Sequence, residues 1–233
     1  IHSIYPNGVI PNVYTLNEKQ IKDYSKSELF IFNGLSNEKE YLIPMIKNNK
    51  NLKIIDATLG IEYTNYQEEL WLDPSNMLMI ARNVKEGFKQ YVNNHYLKNE
   101  IEKNYENLKV DLSNLAAKLN LISNSAQDKT IITTSNIFKF LENYGFTVIS
   151  LEEKPEKNLA LARTRIESGL SKHIFTIKNQ ELTPEIQNLI TEKNIPTLEF
   201  HTLSNLKEEE ISSKKDYVTI MTENINLLKQ ELY

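Results

Sequence analysis

The stretch LKNEIEKNYENLKVDLSNLAAKLNLI, residues 97–122, decides how the rest of the chain is read. Leu97, Ile101, Tyr105, Leu108, Leu112, Leu115, Leu119 and Ile122 recur at intervals of four, four, three, four, three, four and three. That spacing puts them on one side of an α-helix. One uninterrupted helix is therefore expected over residues 96–122, roughly 40 Å long at ~1.5 Å per residue. A coiled coil accounts for the same stripe, but the pattern spans only about three heptads, the minimum for such a reading. A helix that packs along its own chain and joins two lobes accounts for the stripe and also for its flanks.

Before the stripe, β-rich runs at 1–5, 29–33 and 52–57 alternate with helical patterns at 18–25 and 38–48. After it, strand-like runs at 130–134, 147–151, 173–177 and 197–200 alternate with helical patterns at 135–144, 158–168 and 184–193, the first two ending at Gly145 and Gly169. Such alternation is the signature of βαβ units and a parallel sheet. Asp73-Pro74 starts a further helix over 77–93, and apolar positions from Tyr217 to Leu232 mark a closing helix. The expected class is α/β: two lobes of parallel sheet flanked by helices, joined by one long helix, with a ligand cleft between them. The boundaries expected are 1–95 for the first lobe, 96–122 for the connecting helix and 123–233 for the second lobe.

Composition narrows the function. The net charge of −4 and pI near 5.7, with no dense Lys/Arg cluster, argue against nucleic-acid binding. No apolar run approaches the ~20 residues of a membrane-spanning helix. With no cysteine there are no disulfides, thiolate metal sites or cysteine nucleophiles. Phosphate-binding loops and the G-x-S-x-G and H-E-x-x-H motifs are absent, so catalysis is not indicated. His2, His95, His173 and His201 stand singly, without a second His at metal-binding spacing, and read by spacing as ordinary surface or strand-end residues. The acidic clusters Glu152-Glu153 and Glu208-Glu209-Glu210 read as solvated faces or first turns of helices. Glu68-Glu69 differs in lying beside the only Trp.

At Trp71-Leu72-Asp73-Pro74-Ser75-Asn76 the chain resembles the metal-binding receptors of zinc and manganese ABC transporters, a family of surface lipoproteins, some described as adhesins. The likeness extends through Pro6-Asn7-Gly8-Val9-Ile10-Pro11, the stretch from Ser25 to Leu35, Tyr144-Gly145-Phe146, and Asp216-Tyr217 with Met221 and Asn224. The family pattern also has a strand and a helix ahead of the position of Ile1. The resemblance implies a site of His, His, a third His or Glu, and an acid, drawn from both lobes, suited to a borderline divalent cation such as zinc or manganese.

Carried over position by position, that site is substituted throughout. Asn12 stands where the first His falls, Glu69 for the second, Thr134 for the third, Thr176 where some members have Glu, and His201 for the acid. Only Glu69 and His201 are ligand types, so a divalent metal is expected to bind weakly if at all. The implied function is capture of a small ligand or metal ion and delivery to a membrane permease, with little lobe movement because one rigid helix connects the lobes. The implied setting is extracytoplasmic, at the cell surface, as a monomer held by a lipid anchor outside these residues. A surface adhesion or interaction protein, or a receptor for a non-metal ligand on the same fold, is the alternative.

Overall fold

A computed structural model describes residues 2–7, 9, 11, 14–62, 69–178, 180–204 and 206–233. The chain runs α1 (Glu18–Tyr24), β1 (Leu29–Phe32), α2 (Leu42–Asn48), β2 (Lys53–Asp56), α3 (Pro74–Tyr91), α4 (His95–Ser125), β3 (Thr130–Thr133), β4 (Thr147–Ser150), α5 (Pro155–Glu167), β5 (Ile174–Ile177), α6 (Pro184–Lys193), β6 (Thr197–Phe200), α7 (Glu208–Ser212) and α8 (Tyr217–Leu232). Short 3-10 helices lie at Asn37–Tyr41, Leu70–Leu72 and Asn136–Tyr144. The apolar stripe lies in the single helix α4, without a break at Asn104 or Asp111. Its burial is uneven: Leu112, Leu115, Leu119 and Ile122 are buried, whereas Leu97 is 48% exposed. Near its start α4 is instead joined to α3 by long side chains, with Lys85 and Lys89 both reaching Glu102 and Lys85 lying over the Tyr105 ring.

The chain forms two compact units, and they interleave in sequence. The first comprises Ile1–Thr64, Pro74–Ser113 and Ser204–Lys214; the second comprises Asn65–Asp73, Asn114–Leu203 and Lys215–Tyr233.

In the first unit β1 and β2 pair in parallel, Leu29 opposite Lys53 and Phe32 opposite Asp56. Phe30, Phe32, Met45 and Leu52 form its core with Ile4, Leu16 and Tyr41. Residues 2–5, expected as a strand, form none. Tyr5 N–H donates to Ser3 Oγ at 3.0 Å, a local bond that competes with ladder pairing, and Ile4 enters the core from irregular chain. Helix α3 approaches β2 closely at Gly87, where an added Cβ would meet Ile55 at 2.5 Å. Gly87→Ala is thus expected to lower stability by ~1–2 kcal/mol, because overpacking outweighs the ~1 kcal/mol gain in helix propensity. Urea unfolding measures this, and a stabilised variant would show that Ile55 yields freely.

In the second unit four parallel strands are ordered β4-β3-β5-β6. Ile131, Ile132, Ile174 and Phe175 on the two central strands are fully buried, the continuous apolar pattern of a sheet covered on both faces. Ile132 and Ile174 pack with Ala162, Ile186 and Leu189 of α5 and α6. Phe175 and Phe200 meet Phe138 of the 3-10 helix, at ring-centroid distances of 6.2 and 5.0 Å. The expected turn at Gly145 is present, with φ +85°. Glu152 is exposed and accepts from Asn136 N–H at 2.7 Å and Ser135 Oγ at 3.0 Å at the start of the 3-10 helix, and Glu153 pairs with Lys139. His173 is a strand-end residue, immediately before β5. Its Nδ1 lies 2.9 Å from Glu231, which also accepts from Lys172 N–H, so α8 is clamped to the entry of β5. Burial pushes the Glu231 carboxyl above the usual range.

Candidate functional site

Because β4 lies on one side of β3 and β5 on the other, the chain departs in opposite directions from adjacent parallel strands. The carboxyl ends of β3 and β5 are therefore a topological switch point, the place where open α/β sheets hold ligands. Thr134 sits there, one residue past β3, with its N–H donating to Phe175 O at 2.9 Å. Thr176 is on β5 itself and is buried. By the alternation of the strands, Thr134 and Thr176 continue the paired positions Ile132 and Ile174 on the same face. The structure thus brings these two expected site residues together.

His201 follows β6. Its backbone is held from α8, since His201 N–H donates to Asn224 Oδ1 at 3.0 Å and Asn224 Nδ2 donates to His201 O at 2.8 Å. Its ring turns back on its own loop, with Nδ1 accepting from Leu203 N–H at 2.9 Å. Leu203 has φ +59°, a left-handed conformation that costs a side-chain-bearing residue ~1–2 kcal/mol, and this bond holds it there. A side chain accepting from the N–H two residues on is the job an Asp or Asn performs in such a turn. With Nδ1 used as an acceptor, the lone pair on that nitrogen is not offered to a metal.

Glu69 precedes the 3-10 helix Leu70–Leu72 and accepts at its carbonyl from Leu72 N–H at 3.0 Å. That segment is tied into the second unit by three side chains. Trp71 Nε1 donates to Thr202 O at 2.7 Å, and Tyr217 OH donates to Trp71 O at 2.7 Å. Buried Asp73 accepts from Tyr144 OH at 2.5 Å and Asn143 Nδ2 at 3.0 Å. Burial, with Asp73 and Tyr144 nearby, pushes the Tyr217 hydroxyl far above its ordinary range. The fragments Trp71-Leu72-Asp73, Tyr144-Gly145, Tyr217 and Asn224, scattered in sequence, thus hold together the two segments that carry Glu69 and His201. Glu69 and His201 both fall in the second unit, where the bonds of Trp71 and Asp73 tie residues 69–73. Asn12, the remaining expected site residue, lies outside the described residues.

A family model described as ZnuA, zinc-uptake complex component A periplasmic, matches residues 1–231. The chain belongs to the ZnuA family. It is 27% identical over 158 residues to a metal ABC transporter substrate-binding lipoprotein of Lactococcus lactis, a match covering 60% of this chain and 50% of that protein. The chain thus spans about half the length of the curated relative it matches. In fold it is similar to the metal-dependent lipoprotein YcdH of Bacillus subtilis, with TM-score 0.79 and 22% identity over 98% of this chain and 89% of that one. It is similar also to the Zn(II)-bound ZnuA-like domain of AdcA from Streptococcus pneumoniae, with TM-score 0.77 and 18% identity over 97% of this chain and 88% of that one.

Set against a zinc-uptake family, the donors here fit a transition metal poorly. Among the described residues no three His, Cys, Asp or Glu side chains are grouped to hold a metal ion. A zinc site takes about four nitrogen, sulfur or carboxylate ligands, whereas this set offers one carboxylate, one imidazole whose Nδ1 is engaged, and hydroxyls. One residue that sequence reasoning missed is Gln180. Its Oε1 accepts from Thr134 Oγ1–H and, at 3.2 Å, from Ile177 N–H. No spacing or motif in the sequence marks it; only the turn between β5 and α6 brings it onto Thr134.

Proposed function

We propose that the chain is the ligand-capturing receptor of an ABC importer of the divalent-metal uptake type, with a substituted metal site to which Glu69, Thr134, Thr176 and His201 of the second unit contribute. It captures its ligand outside the cytoplasm and passes it to a membrane permease, with no bond chemistry. The observation that carries this reading is the family match running from residue 1 to residue 231. Among the described residues no helix is long and apolar enough to cross a membrane. Anchoring at the cell surface is inferred from the lipoprotein relative.

The receptor reading is tested by thermal unfolding in the presence of a panel of ions and small polar molecules. A ligand at a hundredfold excess over its Kd stabilises the folded state by ~2.7 kcal/mol, which at roughly 2–4 °C per kcal/mol gives a rise of about 5–10 °C. One member of the panel is expected to produce such a rise. Zinc and manganese at about 10–50 μM are expected to produce none, given the donor set above. A rise with either metal that Glu69→Ala with His201→Ala abolishes would establish a rebuilt metal site. A chain indifferent to the whole panel would count against a receptor.

A further inference from the structure

Gln180 is fixed by the backbone rather than by chance packing. Its own N–H donates to Ile177 O at 3.0 Å, while Ile177 N–H donates back to its Oε1, a reciprocal turn at the end of β5. Because a backbone N–H can only donate, the atom it meets must be the carboxamide oxygen, so the orientation of the amide is determined. Thr134 Oγ1–H adds a second donor to that oxygen. Both acceptor directions of Oε1 are thereby taken up, and the amide nitrogen is turned the other way. Gln180 is half-buried, and among the described residues its Nε2 has no acceptor.

The consequence lies at the switch point. Thr134, the position where the resemblance puts a third imidazole, has its hydroxyl proton committed to Gln180, and what faces outward beside it is an NH2 group. At His201 the Nδ1 lone pair is likewise spent, on Leu203 N–H. A position that would have to offer a lone pair to a cation thus has an N–H donor beside it instead. We infer that Gln180 is a specificity-determining residue that closes the second unit's part of the site to divalent cations and fits it to a ligand oxygen, such as a carboxylate or carbonyl. This rests on the receptor reading above for the location of the site.

Gln180→Glu is the decisive substitution, because it is isosteric and keeps an oxygen on Thr134 Oγ1 and Ile177 N–H while replacing the outward NH2 by a carboxylate oxygen. Zinc and manganese are titrated calorimetrically into the unmodified chain, Gln180→Glu and Gln180→Ala. The unmodified chain and Gln180→Ala are expected to show no saturable binding at tens of micromolar, and Gln180→Glu an affinity higher by on the order of tenfold or more. Identical titrations for the unmodified chain and Gln180→Glu overturn the inference. Tight binding of either metal by the unmodified chain also overturns it, yet leaves the receptor reading standing. A gain in Gln180→Glu from a chain that answers no ligand in the thermal panel supports the inference while the receptor reading fails. Should Gln180→Glu melt below the titration temperature, Thr134→His with Gln180→Ala asks the same question, and no gain in metal affinity there overturns the inference too.

Discussion

Phe138→Ala is expected to lower the stability of the folded chain by ~3–5 kcal/mol, the range for removing a large aromatic side chain from a core that cannot close around the gap. Phe138 is fully buried on the 3-10 helix Asn136–Tyr144. Its ring meets Phe200 nearly edge-on, at an interplanar angle of 68° and a centroid distance of 5.0 Å, and meets Phe175 at 6.2 Å. It thus touches β5, which carries Thr176, and β6, which leads into His201. The aromatic pair adds ~0.5–1.5 kcal/mol beyond the buried area. Neighbours cannot refill the space easily, since Phe140, Phe175 and Phe200 are themselves almost entirely excluded from water and in ring contact with this cluster. Urea unfolding followed by far-ultraviolet circular dichroism gives the difference. A loss below ~1 kcal/mol would mean that the 3-10 helix is not docked on this face of the sheet.

The long helix and both parallel sheets were legible in sequence because each depends on local periodicity. The 97–122 stripe needs only its own spacing, and the short apolar runs at 131–132 and 174–175 announce strands covered on two faces. What was not legible depends on residues far apart. Nothing near Trp71 says that its indole will meet Thr202, 131 positions on. The interleaving of the two units follows from that bond and from the one between Asp73 and Tyr144, 71 positions apart. The run at 1–5 was misread as a strand because its alternation carries no information about the local bond from Tyr5 N–H to Ser3 Oγ.

The site shows the same division. Thr134 and Thr176 were named by resemblance, and the strand register puts them on one face. The state of His201 was not readable, since His is a ligand type and only the Leu203 N–H on its Nδ1 reveals that the lone pair is spent. Gln180 left no trace at all, because its part depends on the turn that follows β5.

Asp73→Ala is expected to cost ~3 kcal/mol, and to do so first in the segment carrying Glu69. Asp73 is 3% exposed, and the substitution removes the acceptor of both Tyr144 OH and Asn143 Nδ2. A hydrogen bond to a charged group contributes ~1.5–3 kcal/mol, and a buried donor left without a partner costs ~1–3 kcal/mol. Asp73→Asn keeps one acceptor oxygen and should lose about half as much. Tyr217→Phe, which strands only the Trp71 carbonyl, should lose ~1 kcal/mol. The three variants rank by how many tethers they cut, and the ranking tests whether residues 69–73 are held by these bonds rather than by the burial of Leu70 and Leu72. Native-state hydrogen exchange separates the two cases. The Leu72 amide, bonded to Glu69 O, should lose protection in Asp73→Ala on the order of 100-fold more than the amides of β3 and β5, which follow only the global change. If Leu72 keeps its protection relative to those strands, apolar burial alone holds the segment. The Trp71-Leu72-Asp73 motif would then owe its presence to the start of α3 and not to the placement of Glu69.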